Sequence, residues 1–196
     1  MQKQLTFRIE PSLIGRFFSQ VLSKGVRCRT CLPCPLKELL CEQIGLPPEY
    51  VEDRVQTVFL NGKPVDDVDT AQVATNDTIA LSAAMPGLLG AVLRKGGYYS
   101  AMRQDITYER ACTVAGTKDG MVVIKLFNLT VREAGPLLLQ HGVWLDASEL
   151  AELLEIDTDE WQAACQEVRL DEQDVDLAQL PDLVSSDDEV LLQVNP

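Results

Sequence analysis

The chain has 196 residues, of which 46% are hydrophobic, and a formal net charge of −13 at pH 7. This length and composition are sufficient for one large globular domain or two small ones. Residues 1–103 carry a net charge of +2 and residues 104–196 carry −15. Because so acidic a surface repels phosphate backbones, we expect no nucleic-acid partner. The change in net charge between the halves also indicates two structural units with different surface charge.

The N-terminal sequence MQKQLTFRIE lacks the apolar stretch of a signal peptide. The longest uncharged run, residues 78–93, is too short to span a bilayer and contains Pro86. We therefore expect a cytoplasmic protein without a membrane partner. Its six cysteines are then expected to be reduced thiols or metal ligands, because the cytosol keeps thiols reduced.

The first half alternates between predicted strands and helices. Residues 4–10 alternate apolar and polar side chains, which is typical of a half-buried strand, and apolar spacing predicts a helix over 12–24. A second helix is predicted over 35–44. A β-rich run then reaches Asn61-Gly62, a pair that suits a type I′ hairpin turn, and residues 77–83 are predicted to form another strand.

The order strand, helix, VFLNGKPVDD and NDTIALSAAMPG resembles the β-grasp fold over roughly the first 90 residues. It is most similar to the ubiquitin-like sulfur-carrier proteins, such as the small subunit of molybdopterin synthase and its thiamine-pathway relative. The resemblance implies a β-grasp-like domain, although the fold's usual second strand falls at 14–26, where the spacing predicts a helix. Sulfur carriers end in a free diglycine, whereas Gly96-Gly97 is internal here. A carrier or modifier role would therefore require cleavage after Gly97.

The second half is predicted to be α+β. The glycine-rich, basic stretch 94–104 is expected to be a linker, followed by strands over 105–114 and 121–128. Three helix starts carry an acceptor and a glutamate three residues later, at Thr130/Glu133, Asp146/Glu149 and Asp157/Glu160. Pro136 is expected to shorten the first helix, helices are predicted over 147–156 and 159–168, and the final strand over 189–194.

The predicted fold class is thus α+β, with a β-grasp-like N-terminal domain over 1–93 and a small acidic α+β domain over 105–196. The two domains are joined by the 94–104 linker.

Four cysteines, Cys28, Cys31, Cys34 and Cys41, lie close together in the sequence. Zinc and iron–sulfur clusters bind such sets of thiolates, but the spacing matches neither a zinc ribbon nor a ferredoxin pattern. Metal binding, thiol redox chemistry and structural thiols in a loop all stay open, and structural thiols are favoured. His141, the single histidine, is expected at a helix end. Catalytic triads and multi-histidine metal centres are therefore poorly supported.

The run AAMPGLLGAVL, residues 83–93, is apolar at consecutive positions. Neither a helix nor a strand can turn all of these side chains toward one core, so an exposed apolar patch is expected. We expect Met85, Leu88, Leu89 and Val92 to form an interface with a second copy or another protein. The expected function is that of a non-catalytic interaction or regulatory protein using a ubiquitin-like module. The alternatives are a metal or thiol redox protein based on the four cysteines, and a modifier released after Gly97.

Overall fold

The computed structural model describes residues 1–99, 103, 107–108, 118–155 and 158–196. Helices account for 38% of the structure and strands for 33%, which confirms the α+β class. In the described part of the chain, no helix is long and apolar enough to cross a membrane. The strands are β1 Gln2–Ile9, β2 Val26–Leu32, β3 Cys34–Pro35, β4 Thr57–Leu60, β5 Lys63–Pro64, β6 Gln72–Val73, β7 Thr78–Ser82, β8 Lys118–Phe127, β9 Val143–Asp146, β10 Cys165–Leu170, β11 Gln173–Asp174 and β12 Glu189–Asn195.

The α-helices are short. They are α1 Pro11–Phe17, α2 Ser19–Lys24, α3 Leu36–Glu38, α4 Gly87–Leu93, α5 Thr130–Glu133, α6 Gly135–His141, α7 Ala147–Leu154, α8 Thr158–Ala164 and α9 Leu180–Leu183. The described residues also include two π-helical segments, Leu39–Gln43 and Tyr50–Arg54, and a 3₁₀ turn, Leu177–Gln179.

The chain forms two compact units. Unit 1 combines Met1–Arg27 with Val131–Pro196, and unit 2 comprises Cys28–Thr130. This division differs from the predicted boundary at residues 94–104. The physical reason is that β1 pairs in parallel with β12 and antiparallel with β10, so the first strand of the chain belongs with its last residues.

Unit 1 contains the strands β11, β10, β1, β12 and β9, adjacent in that order. Alternate residues of β1 face its core, where Leu5 and Phe7 are fully buried. Trp161 packs against Phe7, Phe17 and Phe18 with ring centroids 5.4, 4.5 and 5.5 Å apart. Burial of these large rings supplies much of the hydrophobic stabilisation of the unit.

The helices of unit 1 confirm several predictions and correct one. The predicted helix over 12–24 is confirmed as α1 and α2, and α5 ends before Pro136, which lies in the first turn of α6. The predicted helix over 159–168 is wrong beyond Ala164, because Cys165 begins strand β10. Pairing of β10 with β1 overrides the helical pattern there.

Unit 2 contains β2 from Cys28 onward and then, adjacent in this order, β8, β7, β4 and β5, with β7 parallel to β8 and antiparallel to β4. Asn61 and Gly62 have φ values of 51° and 76°, as the predicted type I′ turn requires. The helix predicted over 35–44 is present as α3 and the first π-helical segment. The elements that carry the β-grasp resemblance therefore lie in unit 2, whereas β1 lies in unit 1.

The segment predicted as a linker belongs to unit 2. The Arg103 side chain is 1% exposed and forms an ion pair of 2.6 Å with Asp66. It also donates to the backbone carbonyls of Val92, at 2.7 Å, and Arg94, at 3.2 Å. The Gly96 amide donates to Asp66 as well, so the predicted cleavage position at Gly97 follows a bonded turn. The predicted strand over 105–114, apart from residues 107–108, and Asp157 lie outside the described residues.

Candidate functional site

The stretch predicted as a cysteine loop is strand β2, which corrects that interpretation. Val26, Cys28, Thr30 and Leu32 are buried, whereas the residues between them are exposed or half-buried. This alternation has the two-residue period of a strand. It is hard to recognise in the sequence because the buried positions include cysteine and threonine, and arginines lie between them. Cys28 and Cys31 consequently lie on opposite faces of β2.

Cys31 and Cys34 are brought together by Gln43. The Cys31 amide donates to Gln43 Oε1 at 2.7 Å, and Gln43 Nε2 donates to the Cys31 carbonyl at 3.1 Å. The same Nε2 lies 3.4 Å from Cys34 Sγ. Asp119 completes this group, since its Oδ1 lies 3.8 Å from Cys31 Sγ. We call Cys31, Cys34, Gln43 and Asp119 the thiol cluster.

Two structural features position the thiol cluster. Gln43 ends the π-helical segment Leu39–Gln43, in which the Ile44 amide bonds to the Leu39 carbonyl, and such segments are frequent at functional sites. Asp119 precedes Gly120, where an added Cβ would lie 2.9 Å from Leu32 Cδ1 and 2.5 Å from Thr75 Oγ1. Only glycine permits this approach of β8 to the end of β2.

The thiols differ in environment. Burial raises the pKa of Cys28 to about 12. Burial and the charge of Glu38 raise the pKa of Cys34 to about 11, although the hydrogen bond from Gln43 acts in the opposite direction. Burial also raises the pKa of Cys41, which lies half-buried on the π-helical segment. At neutral pH these three groups are therefore protonated, and thiols react slowly in that form.

The structure does not bring the four cysteines together as one ligand set. Among the described residues, no group of three His, Cys, Asp or Glu side chains is placed to hold a metal ion. Cys28 is directed into the core, whereas Cys31 is exposed on the other face of its strand. Cys31 and Cys34 instead share Gln43 as a hydrogen-bond partner.

The predicted interface residues lie on and beside α4. Leu88 and Leu89 are 74% and 61% exposed, whereas Met85 and Val92 are half-buried. Gly90 fixes this geometry, because an added Cβ would lie 1.7 Å from the Met85 carbonyl oxygen. The α4 backbone therefore packs directly on Met85, and Leu88 and Leu89 are left exposed.

A groove of about 270 Å³ begins at Met85. Phe59 of β4, Ala80 of β7 and Phe127 of β8 line it, and Phe127 is 38% exposed. Asn128 donates to Ser82 Oγ at 3.1 Å and to the Ala84 carbonyl at 2.8 Å, which fixes one end of the groove. We call Phe59, Ala80, Met85, Leu88, Leu89 and Phe127 the α4 surface.

Sequence reasoning missed five residues of these two sites: Gln43, Asp119, Phe59, Ala80 and Phe127. No local sequence pattern marks Gln43 or Asp119 as site residues, because both contact strand β2, which is distant from them in the sequence. Phe59 and Phe127 lie in strand-like runs, and the run pattern alone does not reveal which face of each strand is covered. Only the pairing of Phe59 with Ala80, and of Ser82 with Phe127, places the two rings on one surface.

Comparison with models of protein families, with curated proteins and with solved structures finds no match to this chain.

Proposed function

We propose that the protein is a non-catalytic interaction protein that associates with a second copy of itself through the α4 surface. The observation that carries this proposal is the exposure of Leu88 and Leu89 on the helix that follows Met85, which lines the apolar groove. A soluble chain seldom leaves adjacent large apolar side chains exposed unless they form an interface.

The α4 surface is self-complementary. It has a projecting part, Leu88 and Leu89, and a recessed part, the groove lined by Phe59, Ala80 and Phe127. A two-fold axis would place the leucines of each copy in the groove of the other, which is the isologous arrangement of most homodimers. Each copy would thereby cover both apolar parts of its partner.

The arrangement of unit 2 supports a ubiquitin-like interaction module as the framework. The helical segment 36–43 precedes the Asn61-Gly62 hairpin, and β7 follows it beside β4. In this framework the groove lies on the outer face of the unit 2 sheet. A partner bound there would leave the core residues on the opposite face undisturbed.

Sedimentation equilibrium over a wide concentration range tests the proposal. We expect the wild type to approach twice the monomer mass as its concentration rises. The double variant Leu88→Asp, Leu89→Asp should remain monomeric with an unchanged circular dichroism spectrum, because burying two carboxylates in an apolar interface is strongly unfavourable. Phe127→Asp should weaken association from the groove side.

Leu183→Asp is the matched control, since Leu183 is a 39% exposed leucine of unit 1 outside the α4 surface. This variant should associate like the wild type. A wild type that is monomeric at all concentrations would disprove self-association. Equal loss of association in the control and the double variant would disprove the assigned surface.

A further inference from the structure

The thiol cluster contains one exposed and one buried cysteine, three residues apart in the sequence and both contacted by Gln43. Cys31 is exposed, whereas Cys34 is 2% exposed. Gln43 Nε2 contacts both the Cys31 carbonyl and Cys34 Sγ, at 3.1 and 3.4 Å, so one amide nitrogen spans the two residues.

Other cysteines in the described part of unit 2 are less suited to pair with Cys31. Cys28 is only three residues away, but it faces the core on the opposite side of β2. Cys41 lies on the π-helical segment, two residues before Gln43. In the described structure, Gln43 of that segment donates a hydrogen bond to the Cys34 thiol.

We propose that Cys31 and Cys34 form a redox-active dithiol, which a low-molecular-weight disulfide oxidises to an intramolecular disulfide. This inference is independent of self-association, because it uses none of the residues of the α4 surface.

The reaction has two exchange steps. In the first, Cys31 loses its proton and its sulfur attacks one sulfur of the small disulfide. The S–S bond of the reagent breaks, one small thiolate leaves and takes up the proton, and a mixed disulfide remains on Cys31. In the second, Cys34 loses its proton and its sulfur attacks Cys31 Sγ, which releases the second small thiol. The protein loses two protons and two electrons, and the reagent gains them.

The environments of the two sulfurs fit this order. The exposed Cys31 meets the reagent first, since access limits exchange with a small disulfide. Cys34 needs no access to solvent, because its target is the neighbouring Cys31 sulfur. Burial raises the pKa of Cys34, so the second step is the slower one and its rate should increase with pH. The hydrogen bond that Gln43 Nε2 donates to Cys34 Sγ partly offsets this burial.

Oxidised glutathione is the probe for the test. The full chain is incubated with it, quenched with acid, alkylated with iodoacetamide and digested with trypsin. Cleavage after Arg29 and Lys37 yields the peptide TCLPCPLK, residues 30–37, whose only cysteines are Cys31 and Cys34. We expect this peptide to lose two hydrogens in the wild type and to escape alkylation.

The variants separate the two steps. Cys34→Ser should stop at a glutathione adduct on residues 30–37, and Cys31→Ser should yield neither adduct nor disulfide in that peptide. Cys41→Ser is the matched control and should oxidise like the wild type. A wild-type peptide that keeps the adduct, or that remains fully alkylated, would overturn the proposal. So would a disulfide that joins Cys31 to Cys28 in the separate peptide CR. The wild-type result decides the question even if a variant fails to fold.

Discussion

Arg103 is a buried charged side chain with four polar partners. Its guanidinium is paired with Asp66 and bonded to the carbonyls of Val92 and Arg94, with a further contact of 3.1 Å to Thr107 Oγ1. A planar guanidinium with several fixed donors can serve these acceptors together. Arg103 therefore attaches the segment after α4 to the body of unit 2.

Replacing Arg103 should destabilise the protein. In Arg103→Ala the Val92 carbonyl loses its guanidinium donor and Asp66 loses its ion-pair partner. Breaking a buried ion pair typically costs about 3–5 kcal/mol. Because the Asp66 side chain is 30% exposed and regains water, we expect a decrease in the free energy of unfolding near the lower value. Urea denaturation measures it.

Two further variants serve as comparisons for this measurement. Arg103→Lys should recover only part of the loss, since one ammonium cannot reproduce the fork of donors. Arg94→Ala removes an exposed arginine side chain of the same segment and should change the free energy of unfolding by less than about 0.5 kcal/mol. Equal stability of Arg103→Ala and the wild type would show that the segment contributes nothing to the fold.

At the scale of the single element, α7 begins with the capping box that its sequence predicts. The Glu149 amide donates to Asp146 Oδ1 at 2.9 Å, and the Asp146 amide donates to Glu149 Oε2 at 2.9 Å. The hydrogen bond from Ser148 Oγ, followed by that from the Glu149 amide, lowers the pKa of Asp146. The folded state therefore favours the ionised carboxylate.

Asp146→Ala should lower the free energy of unfolding by about 1 kcal/mol at pH 7, as is typical for loss of an N-cap. The pKa of Asp146 is lower in the folded state, so its charge stabilises the fold above the ordinary aspartate pKa of about 3.9. That contribution is lost as the pH falls through the lower folded value. Thermal unfolding of the wild type and the variant between pH 2 and pH 7 should show their difference shrink in acid.

Asp146→Asn provides the control for charge. Asparagine is also a good N-cap and its amide oxygen can still accept from Glu149, but it does not titrate. Its difference from Asp146→Ala should be nearly independent of pH. If Asp146→Ala unfolds like the wild type at pH 7, the capping box does not stabilise α7.

At the scale of the whole molecule, the strand nearest the end of the chain, β12, pairs with the strand nearest its beginning, β1. The β1 residues Gln2 to Arg8 pair in parallel with Glu189 to Asn195, and Leu5, Phe7, Val190 and Leu192 are all fully buried. Parallel strands cannot be joined by a tight hairpin, so their connection must include other structure. Here that connection contains the whole of unit 2.

Residues 105–196 should therefore not fold alone. The fragment lacks β1, so β10 and β12 each lose a strand partner and the core loses Leu5 and Phe7. We expect no cooperative thermal transition by circular dichroism. Residues 1–27 joined by a flexible linker to 131–196 restore the strand and should unfold cooperatively. A cooperative transition in the 105–196 fragment would instead support the predicted domain boundary.

The sequence determined most of the local structure. Asn61-Gly62 predicts the hairpin because both positions require positive φ, and Asp146 with Glu149 predicts the start of α7 because their side chains satisfy amides within one turn. The apolar run 83–93 likewise predicts exposed leucines, since no single period can bury it. Each of these inferences depends on residues that are neighbours in the chain.

Tertiary structure decided the rest, because strand pairing joins residues that are distant in sequence. Pairing with β1 converts Cys165–Leu170 from a predicted helix into β10, and the alternation of β2 separates Cys28 from Cys31. Gln43 reaches Cys31 and Cys34 only because the π-helical segment packs beside the end of β2. The division into units follows from the pairing of β1 with β12, whose side-chain patterns are those of ordinary half-buried strands and specify no partner.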